Sequence, residues 1–237
     1  SSAADFYTGP IYYYMMAPFL WLFNSDPVGP AVMIALLGIA TVYLVYLVGK
    51  KFFSEVTGLV AASIYAVSPL VINYSRSSWN PNPMPFITLL MLYLLYLAVQ
   101  KPTWKKFLFI GVLYGIALQL HYAELFVGII MFFFMLFSHF YQKRKQIFDL
   151  VKHYFWLFIG FIIGFSPFLA FEIRHQFINT KTILNFIVNG DPNATDLTHD
   201  SFAFIVGNVF FRLFGRLLWH FPPPDQYASW DPTKFWL

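Results

Sequence analysis

Long, uninterrupted apolar runs constrain this chain more than any other feature. Seven of them follow one another, and each has roughly the length that an α-helix needs to cross a bilayer, which is about 20 residues. Their apolarity is continuous rather than alternating, so helices are predicted and barrel strands are not. The sequence therefore predicts an all-α, polytopic transmembrane helical bundle of about seven spans. The runs are Pro30–Gly49, Thr57–Ser75, Pro83–Val99, Phe107–His121, Ala123–Phe140, Tyr154–Phe171 and Ser201–Trp219.

Composition favours the same class of protein. Of the 237 residues, 59% are hydrophobic and only 11% are charged, whereas an ordinary soluble domain is about 25% charged. The 30 Phe, 15 Tyr and 7 Trp suit a lipid-facing surface with aromatic belts at both interfaces. The net charge of +4 is divided among short clusters and does not form the basic stripe typical of nucleic-acid binding. The lipid bilayer is thus an expected partner and nucleic acid is not.

Residue spacing does not indicate a metal site or a cofactor. The chain has no cysteine, and its 6 histidines are scattered without metal-ligand spacing. It also has no phosphate-cradling glycine loop, Walker motif or nucleophile elbow. We expect no metal, no cofactor and no ATP-driven chemistry within these residues.

Basic residues predict the orientation of the bundle, because they are concentrated in every second connection. By the positive-inside rule these connections are cytoplasmic. The alternate connections and the segment before Pro30 then face outward, which places any chemistry on the extracytoplasmic side of a cell membrane. The basic clusters are Lys50-Lys51, Lys101 with Lys105-Lys106, and Lys143-Arg144-Lys145 with Lys152.

The chain is predicted to be a single transmembrane domain over residues 1–237, and an internal piece of a longer protein. Within it, residues 5–26 form an outer juxtamembrane segment, because the apolar stretch Gly9–Phe23 is too short to span and is rich in interfacial aromatics. Residues 30–171 hold six transmembrane helices, residues 172–200 an outer loop with a possible short helix at Thr182–Val188, and residues 201–221 the seventh helix.

Polar side chains at the outward helix ends are the candidates for chemistry. If the helices bundle, these groups converge on one outward cavity. Arginine offers a planar fork for phosphate oxygens and lysine a point charge, which suits a phosphate tethered to a lipid. The candidate phosphate ligands are Arg76, Arg174, His175 and Lys181, and the candidate cavity-lining residues are Tyr74, Asn80, His121, Tyr122 and Glu172.

Each candidate also has a structural interpretation. A single arginine at a membrane edge can serve as an interfacial anchor. Glu172 and Arg174 can pair with each other, and His121 with Glu124 can cap a helical hairpin. Arg212 and Arg216 lie four residues apart on one helix face and are interpreted as interfacial.

Four stretches of the chain resemble GT-C-type integral membrane glycosyltransferases, especially the group of protein O-mannosyltransferases and lipid A aminoarabinose transferases. Their order and spacing carry the resemblance, because each one alone is short and largely apolar. The stretches are GPIYYYMMAPFLWLF (Gly9–Phe23), the span Ala31–Phe53 ending in LVGKKFF, AVSPLVINYSRSSWNPN (Ala66–Asn82) and FEIRHQFINTK (Phe171–Lys181), of which the last is similar to bacterial members.

The resemblance implies a GT-C-like fold and a polyprenyl-phosphate sugar donor, used on the outer face of a bacterial plasma membrane. It implies transfer to a lipid, glycan or protein acceptor with inversion of configuration at the sugar. A carboxylate would act as the base that activates the acceptor. The first span and the acidic motif that the family has early in its first outer loop are missing from the sequence, and Thr8-Gly9 replaces a frequent His before the juxtamembrane Pro. Asp5 and Glu124 are the remaining candidates for the catalytic carboxylate.

Two other classes of function remain open at this stage. A transporter or lipid flippase would have ionisable groups near mid-membrane and often internal repeats, whereas the charges here lie at the helix ends. A non-catalytic membrane scaffold would need no convergence of polar groups on the outer side. Incubating membranes with a labelled polyprenyl-phosphate sugar separates transfer, transport and neither.

Overall fold

The computed structural model describes residues 9–142 and 146–189, excepting the side chains of residues 183 and 186–189. Every regular element in these ranges is an α-helix, which confirms the all-α class. Asp5 and the predicted seventh helix with Arg212 and Arg216 lie outside the described residues. The helices are α1 (Ile11–Leu22), α2 (Val28–Phe52), α3 (Glu55–Val67), α4 (Pro69–Tyr74), α5 (Met84–Gln100), α6 (Trp104–Leu120), α7 (Glu124–Tyr141), α8 (Ile147–Arg174) and α9 (Ile178–Asn189).

Three of the described helices, α2, α7 and α8, are long and apolar enough to cross a membrane. Helices α3 and α5 are also apolar but have only 13 and 17 residues. The helices follow the order of the predicted runs, and α9 covers the stretch Thr182–Val188 for which a short helix was predicted. The number of about seven spans stays a prediction.

The run Thr57–Ser75 was predicted as one span, and this is wrong in detail because it contains two helices. Ser68 has an extended backbone with ψ of 122°, since the residue before a proline avoids the helical region. Pro69 then begins α4, where its missing N–H costs no helical hydrogen bond. The chain thus bends between α3 and α4.

Pro167, by contrast, lies inside α8 without ending it. A proline cannot donate to the carbonyl four residues earlier, which here belongs to Ile163. The hydroxyl of Ser166 donates to that oxygen at 2.8 Å. The local hydrogen bond replaces the one that proline removes, so the 28-residue helix continues to Arg174.

Helices α6 and α8 pack backbone against backbone along a seam of four glycines. A Cβ atom added at Gly115 would lie 2.6 Å from the carbonyl oxygen of Phe161, and one added at Gly160 would overlap the carbonyl of Leu108. Only residues without a side chain permit this approach, as the small-residue spacing of both runs indicates. The seam residues are Gly111 and Gly115 on α6 with Gly160 and Gly164 on α8.

Two apolar clusters form the core. One joins α5, α6, α7 and α8 around Met91, Phe107 and Met131, and the other joins α1, α2, α5 and α6 around Tyr12 and Ile34. Helix α1 therefore packs as an integral part of the bundle, while Tyr13, Tyr14 and Trp21 on its other faces are exposed.

The connections between the helices lie at two ends of the bundle. At one end, the rings of Phe52 on α2 and Tyr96 on α5 lie 4.4 Å apart, which places the lysine-rich α2–α3 and α5–α6 connections near each other. The rings of Trp104 and Trp156, 4.8 Å apart, join the start of α6 to α8. We call this the basic end. The polar end comprises residues 9–10, the loop of residues 75–83, the α6–α7 turn at 121–123 and the α8–α9 junction at 174–177.

Candidate functional site

Hydrogen bonds between distant parts of the chain hold the polar end together. The hydroxyls of Tyr12 and Ser78 lie 2.7 Å apart and join α1 to the 75–83 loop. The amide of Gly9 donates to the carbonyl oxygen of Gln119 at 3.2 Å and joins the start of α1 to the end of α6. Three segments that were predicted to face outward therefore lie side by side.

The 75–83 loop is compact because one amide side chain bridges it. Nδ2 of Asn82 donates to the carbonyl oxygens of Tyr74 at 2.8 Å and Ser77 at 2.6 Å. The ring of Trp79 stacks on Tyr74 with 6.2 Å between centroids. These contacts fix the backbone on both sides of Arg76, whose own side chain is exposed.

Two cavities lie on either side of this part of the chain. The first has a volume of about 330 Å³ and includes Tyr74, Trp79 and Asn82 in its wall. The second has about 670 Å³, runs between α2 and the α3–α4 pair, and ends at Arg76. Ser75 contributes to both walls. Of the predicted site residues, Tyr74 and Arg76 therefore border cavities at the polar end.

His121 stabilises the tight α6–α7 turn. Its Nδ1 accepts a hydrogen bond from the backbone N–H of Ala123 at 3.1 Å, so the imidazole caps the hairpin. Beside it, burial and then the negative charge of Glu172 raise the pKa of Tyr122. That charge reaches Tyr122 only because the α6–α7 turn lies close to the end of α8.

Glu124 is buried at the start of α7, with 1% of its surface exposed. The hydroxyl of Thr88 on α5 donates to its Oε1 at 2.5 Å. Its second oxygen, Oε2, has no hydrogen-bond partner among the described residues. A carboxylate in this position ties α5 to α7 and does not face either cavity.

Glu172 is also buried, at 3% exposure, and it caps the first turn of α9. Its carboxylate accepts from the backbone amides of Asn179 at 3.2 Å and Thr180 at 3.1 Å, and from the Thr180 hydroxyl at 2.8 Å. The amides at a helix N-terminus are a general anion site. Here a side chain of the protein already occupies it, so a ligand phosphate would depend on side-chain cations.

Three of the four predicted phosphate ligands lie at the α8–α9 junction. Arg174, His175 and Lys181 are exposed there, and the His175 ring stacks on Phe171 at 4.1 Å. The chain turns between the two helices through Gln176 and Phe177, both with positive φ. Arg76 lies instead at the second cavity, so the cations form two groups at the polar end.

Several residues that contribute to the polar end and its cavities were not predicted from the sequence. Thr88 gives no signal of its own, because its partner Glu124 is 36 residues away. Gln119 does give one, since an amide within an apolar run needs hydrogen-bond partners when buried. It donates to the carbonyl oxygens of Gly115 at 3.1 Å and Gly164 at 2.7 Å. The small residues of the second cavity were not predicted either.

Metal-binding geometry is not found in the part of the chain that the structure describes. No group of three or more His, Cys, Asp or Glu side chains lies close enough there to hold an ion. The features of the polar end that could bind a ligand are thus its exposed cations, aromatic rings and two cavities.

Apolar helices and a polar end with exposed cations define a helical membrane protein whose candidate site lies at one end of the bundle. The chain belongs to the dolichyl-phosphate-mannose-protein mannosyltransferase family, whose model matches residues 8–171. This confirms the GT-C-type resemblance and identifies a membrane glycosyltransferase at the level of the family. No match is found among the curated proteins or the solved structures.

Proposed function

We propose that the full-length protein transfers a sugar from a polyprenyl-phosphate-linked donor to a lipid, glycan or protein acceptor. Transfer takes place on the extracytoplasmic face of a bacterial plasma membrane. In this proposal the polar end of the bundle binds the phosphate of the donor.

The observation that carries the proposal is the separation of charged groups between the two ends. Arg76, Arg174 and His175 lie at the polar end and Lys181 follows in the first turn of α9. The described lysines of the α2–α3 and α5–α6 connections lie at the basic end. Cytoplasmic connections carry the excess of lysine and arginine. The polar end then faces outward, at the depth where the phosphate of a membrane lipid is found.

The chemistry of such a transfer explains why cations are needed. When the sugar leaves a lipid phosphate, negative charge builds on the phosphate oxygens, and preorganised cations stabilise that charge in the transition state. Arginine is well suited, because its guanidinium donates two parallel hydrogen bonds to phosphate. His175 and Lys181 would support Arg174 from the α8–α9 junction.

Activation of the acceptor requires a base, and the burial of Glu124 argues against that role. Its Oε1 accepts from Thr88, and with 1% exposure it offers no surface to an acceptor. We assign Glu124 a structural role between α5 and α7. Asp5, outside the described residues, stays the candidate base within this sequence.

Substitution of the two arginines in the full-length protein tests the proposal. Arg76→Ala and Arg174→Ala should each lower transfer from a labelled polyprenyl-phosphate sugar at least roughly tenfold, which is about 1.4 kcal/mol of transition-state stabilisation. Lys51→Ala is the matched control, because it removes an exposed cation from the basic end. Unchanged kinetics in both arginine variants would refute the assignment.

The same assay separates transfer from transport. A transferase places the label in a covalent product, whereas a transporter or flippase moves intact donor across the membrane. Accumulation of intact donor without product would exclude glycosyl transfer.

A further inference from the structure

The described lysines of the basic end form two clusters that differ in how their charge is balanced. In the first cluster, Lys50 on α2 forms an ion pair of 3.1 Å with Glu55. The second cluster lies around the start of α6 and the first turns of α8, and none of its lysines forms an ion pair with a carboxylate among the described residues. Its positive charge therefore remains available to a ligand. The members of the second cluster are Lys101, Lys105, Lys106 and Lys152.

One carboxylate lies near the second cluster without neutralising it. Asp149 in the first turn of α8 precedes Lys152 by three residues, but the two form no ion pair. Asp149 is half-buried, and at a helix N-terminus its negative charge is favoured by the helix dipole. The Nζ of Lys152 instead lies 4.6 Å from the centroid of the Phe148 ring. Among the described residues of this region four lysines thus accompany one carboxylate, and the local charge is positive.

Two tryptophans join the lysines of the two helices. The ring of Trp104 on α6 lies 4.8 Å from that of Trp156 on α8. The Nζ of Lys105 lies 5.7 Å from the centroid of the Trp104 ring, and Lys152 is one turn before Trp156 on α8. The paired rings therefore bring a lysine from each helix to one aromatic surface. We call Trp104, Lys105, Lys152 and Trp156 the lysine–tryptophan patch.

The side chains of the lysine–tryptophan patch carry hydrogen-bond donors and no acceptors. Each ammonium has three N–H donors and each indole has one. Both lysines are exposed, and Trp104 is 46% exposed. Such a set is suited to a ligand that is anionic and rich in acceptors. The phosphodiester and ester oxygens of an anionic phospholipid meet both conditions.

Apolar side chains continue the patch toward the middle of the bundle. Phe109 follows Lys105 by one turn of α6 and is 51% exposed, and Phe155 follows Lys152 on α8 and is 56% exposed. Both helices begin at the basic end, so these rings lie deeper than the lysines. Lysine and tryptophan suit the headgroup depth of a membrane, and phenylalanine suits its hydrocarbon. The order from cation to apolar ring is complementary to an amphiphile with an anionic head.

We propose that the lysine–tryptophan patch binds an anionic phospholipid. The phosphate of the lipid lies between Lys105 and Lys152, and its acyl chains lie against Phe109 and Phe155. This site is at the opposite end of the bundle from the cations that the proposed function assigns to the sugar donor, and it does not depend on that function. The bound lipid bridges the start of α6 to α8 at the basic end.

Lipid titration followed by native mass spectrometry measures this binding. The full-length protein, delipidated in a mild detergent, is titrated with phosphatidylglycerol or with phosphatidylcholine that has the same acyl chains. The first phosphatidylglycerol should bind at least roughly tenfold more tightly than phosphatidylcholine, because only phosphatidylglycerol carries a net negative charge. Equal binding of the two lipids would overturn the proposal.

Paired substitutions separate the patch from the general positive charge of the basic end. A lysine near an anionic membrane surface contributes about fivefold in affinity, so Lys105→Ala with Lys152→Ala should weaken phosphatidylglycerol binding roughly thirtyfold. Lys105→Arg with Lys152→Arg should retain it. The matched control, Lys50→Ala with Lys51→Ala, removes two cations from the first cluster and should leave the first binding event nearly unchanged. Equal losses in the two alanine pairs would show a diffuse attraction to the whole basic end, and the patch would not be a site.

A photoreactive lipid locates the bound molecule. Phosphatidylglycerol with a diazirine in its acyl chain, added to the full-length protein in nanodiscs, should label the peptides that contain Phe109 and Phe155. Trp104→Ala should lower this labelling severalfold, whereas Trp104→Phe should retain part of it. Thermal unfolding close to that of the wild type shows that each variant is folded. Labelling found only on α2, α3 or α7 would contradict the assignment.

A headgroup without chains tests whether the ligand is a lipid. Glycerol 3-phosphate carries the phosphate but cannot contact Phe109 and Phe155 with acyl chains. At the same concentration as phosphatidylglycerol it should displace none of the bound lipid. Displacement would show that the patch binds a soluble phosphate, and the phospholipid assignment would be wrong.

Discussion

Adding one methyl group to the α6–α8 seam should separate the two helices that pack most closely. A Cβ atom at Gly115 would lie 2.6 Å from both the Phe161 carbonyl oxygen and the Phe165 backbone nitrogen. These atoms belong to a helix backbone and cannot rotate away as a side chain would. The helices must move apart, and overpacking of this kind costs about 1–3 kcal/mol.

The same separation would also weaken a neighbouring interaction. Nε2 of Gln119 donates to the Gly164 carbonyl oxygen across the seam at 2.7 Å, and losing such a bond costs about 0.5–1.5 kcal/mol. We therefore expect these two effects to lower the free energy of unfolding of Gly115→Ala by about 1.5–4.5 kcal/mol, before the gain in helix propensity that alanine brings. Unfolding of the purified protein in mixed micelles, followed by tryptophan fluorescence, measures this change.

Gly38→Ala is the matched control, because it makes the same chemical change in α2. Its added Cβ would meet only the Cβ of Ser75, at 3.2 Å, a contact that a shift of a few tenths of an ångström relieves. Alanine also has a helix propensity about 1 kcal/mol better than glycine, a gain that both variants share. If Gly115→Ala were as stable as Gly38→Ala, close backbone packing would not be what holds α6 to α8.

Two further predictions concern topology and the α8–α9 junction. The chain has no cysteine, so single-cysteine variants can be labelled with a membrane-impermeant maleimide. Ser77→Cys and His175→Cys should react from outside intact cells, whereas Lys51→Cys should not. If Ser77→Cys and His175→Cys were labelled from opposite sides of the membrane, the glycosyl-transfer proposal would be refuted. Glu172→Ala should speed hydrogen exchange of the Asn179 and Thr180 amides roughly tenfold, since losing a helix cap costs about 1–2 kcal/mol. The control Glu172→Gln should retain part of the protection. Unchanged exchange in Glu172→Ala would contradict the capping role.

The sequence was sufficient for the class of fold, because the length and apolarity of a run are local properties. Helix ends were harder to predict, as two prolines show. Pro69 ends α3 and begins α4, whereas Pro167 lies within α8 because Ser166 donates to the carbonyl that it leaves open. Both stand in a Ser-Pro step, so the dipeptide alone does not decide whether a helix breaks. The difference lies in the backbone at the preceding serine, which is extended at Ser68.

The candidate site was predictable in its residue types but not in its arrangement. Ionisable groups at the helix ends predicted to face outward indicated a polar end, and Arg76, His121 and Arg174 lie at one end of the bundle. That Glu172 caps α9 depends on a turn through Gln176 and Phe177 with positive φ, which neither residue type favours. The second cavity lies between the contact of Gly49 with Gly58 and the bend at Ser68, two features that no single sequence motif records.

The close approach of Gly49 and Gly58 also has a consequence for how a substrate travels. The backbones of α2 and α3 touch at Gly49 and Gly58, while a cavity separates the two helices toward Arg76. Under the proposed function, a lipid-linked donor would enter from the surrounding leaflet with its head at the water boundary. Each methylene exposed to water would cost about 0.8 kcal/mol, and this sideways entrance avoids that cost along the whole chain. Under the proposed function, delivery of the donor to the polar end would then be two-dimensional diffusion within the membrane.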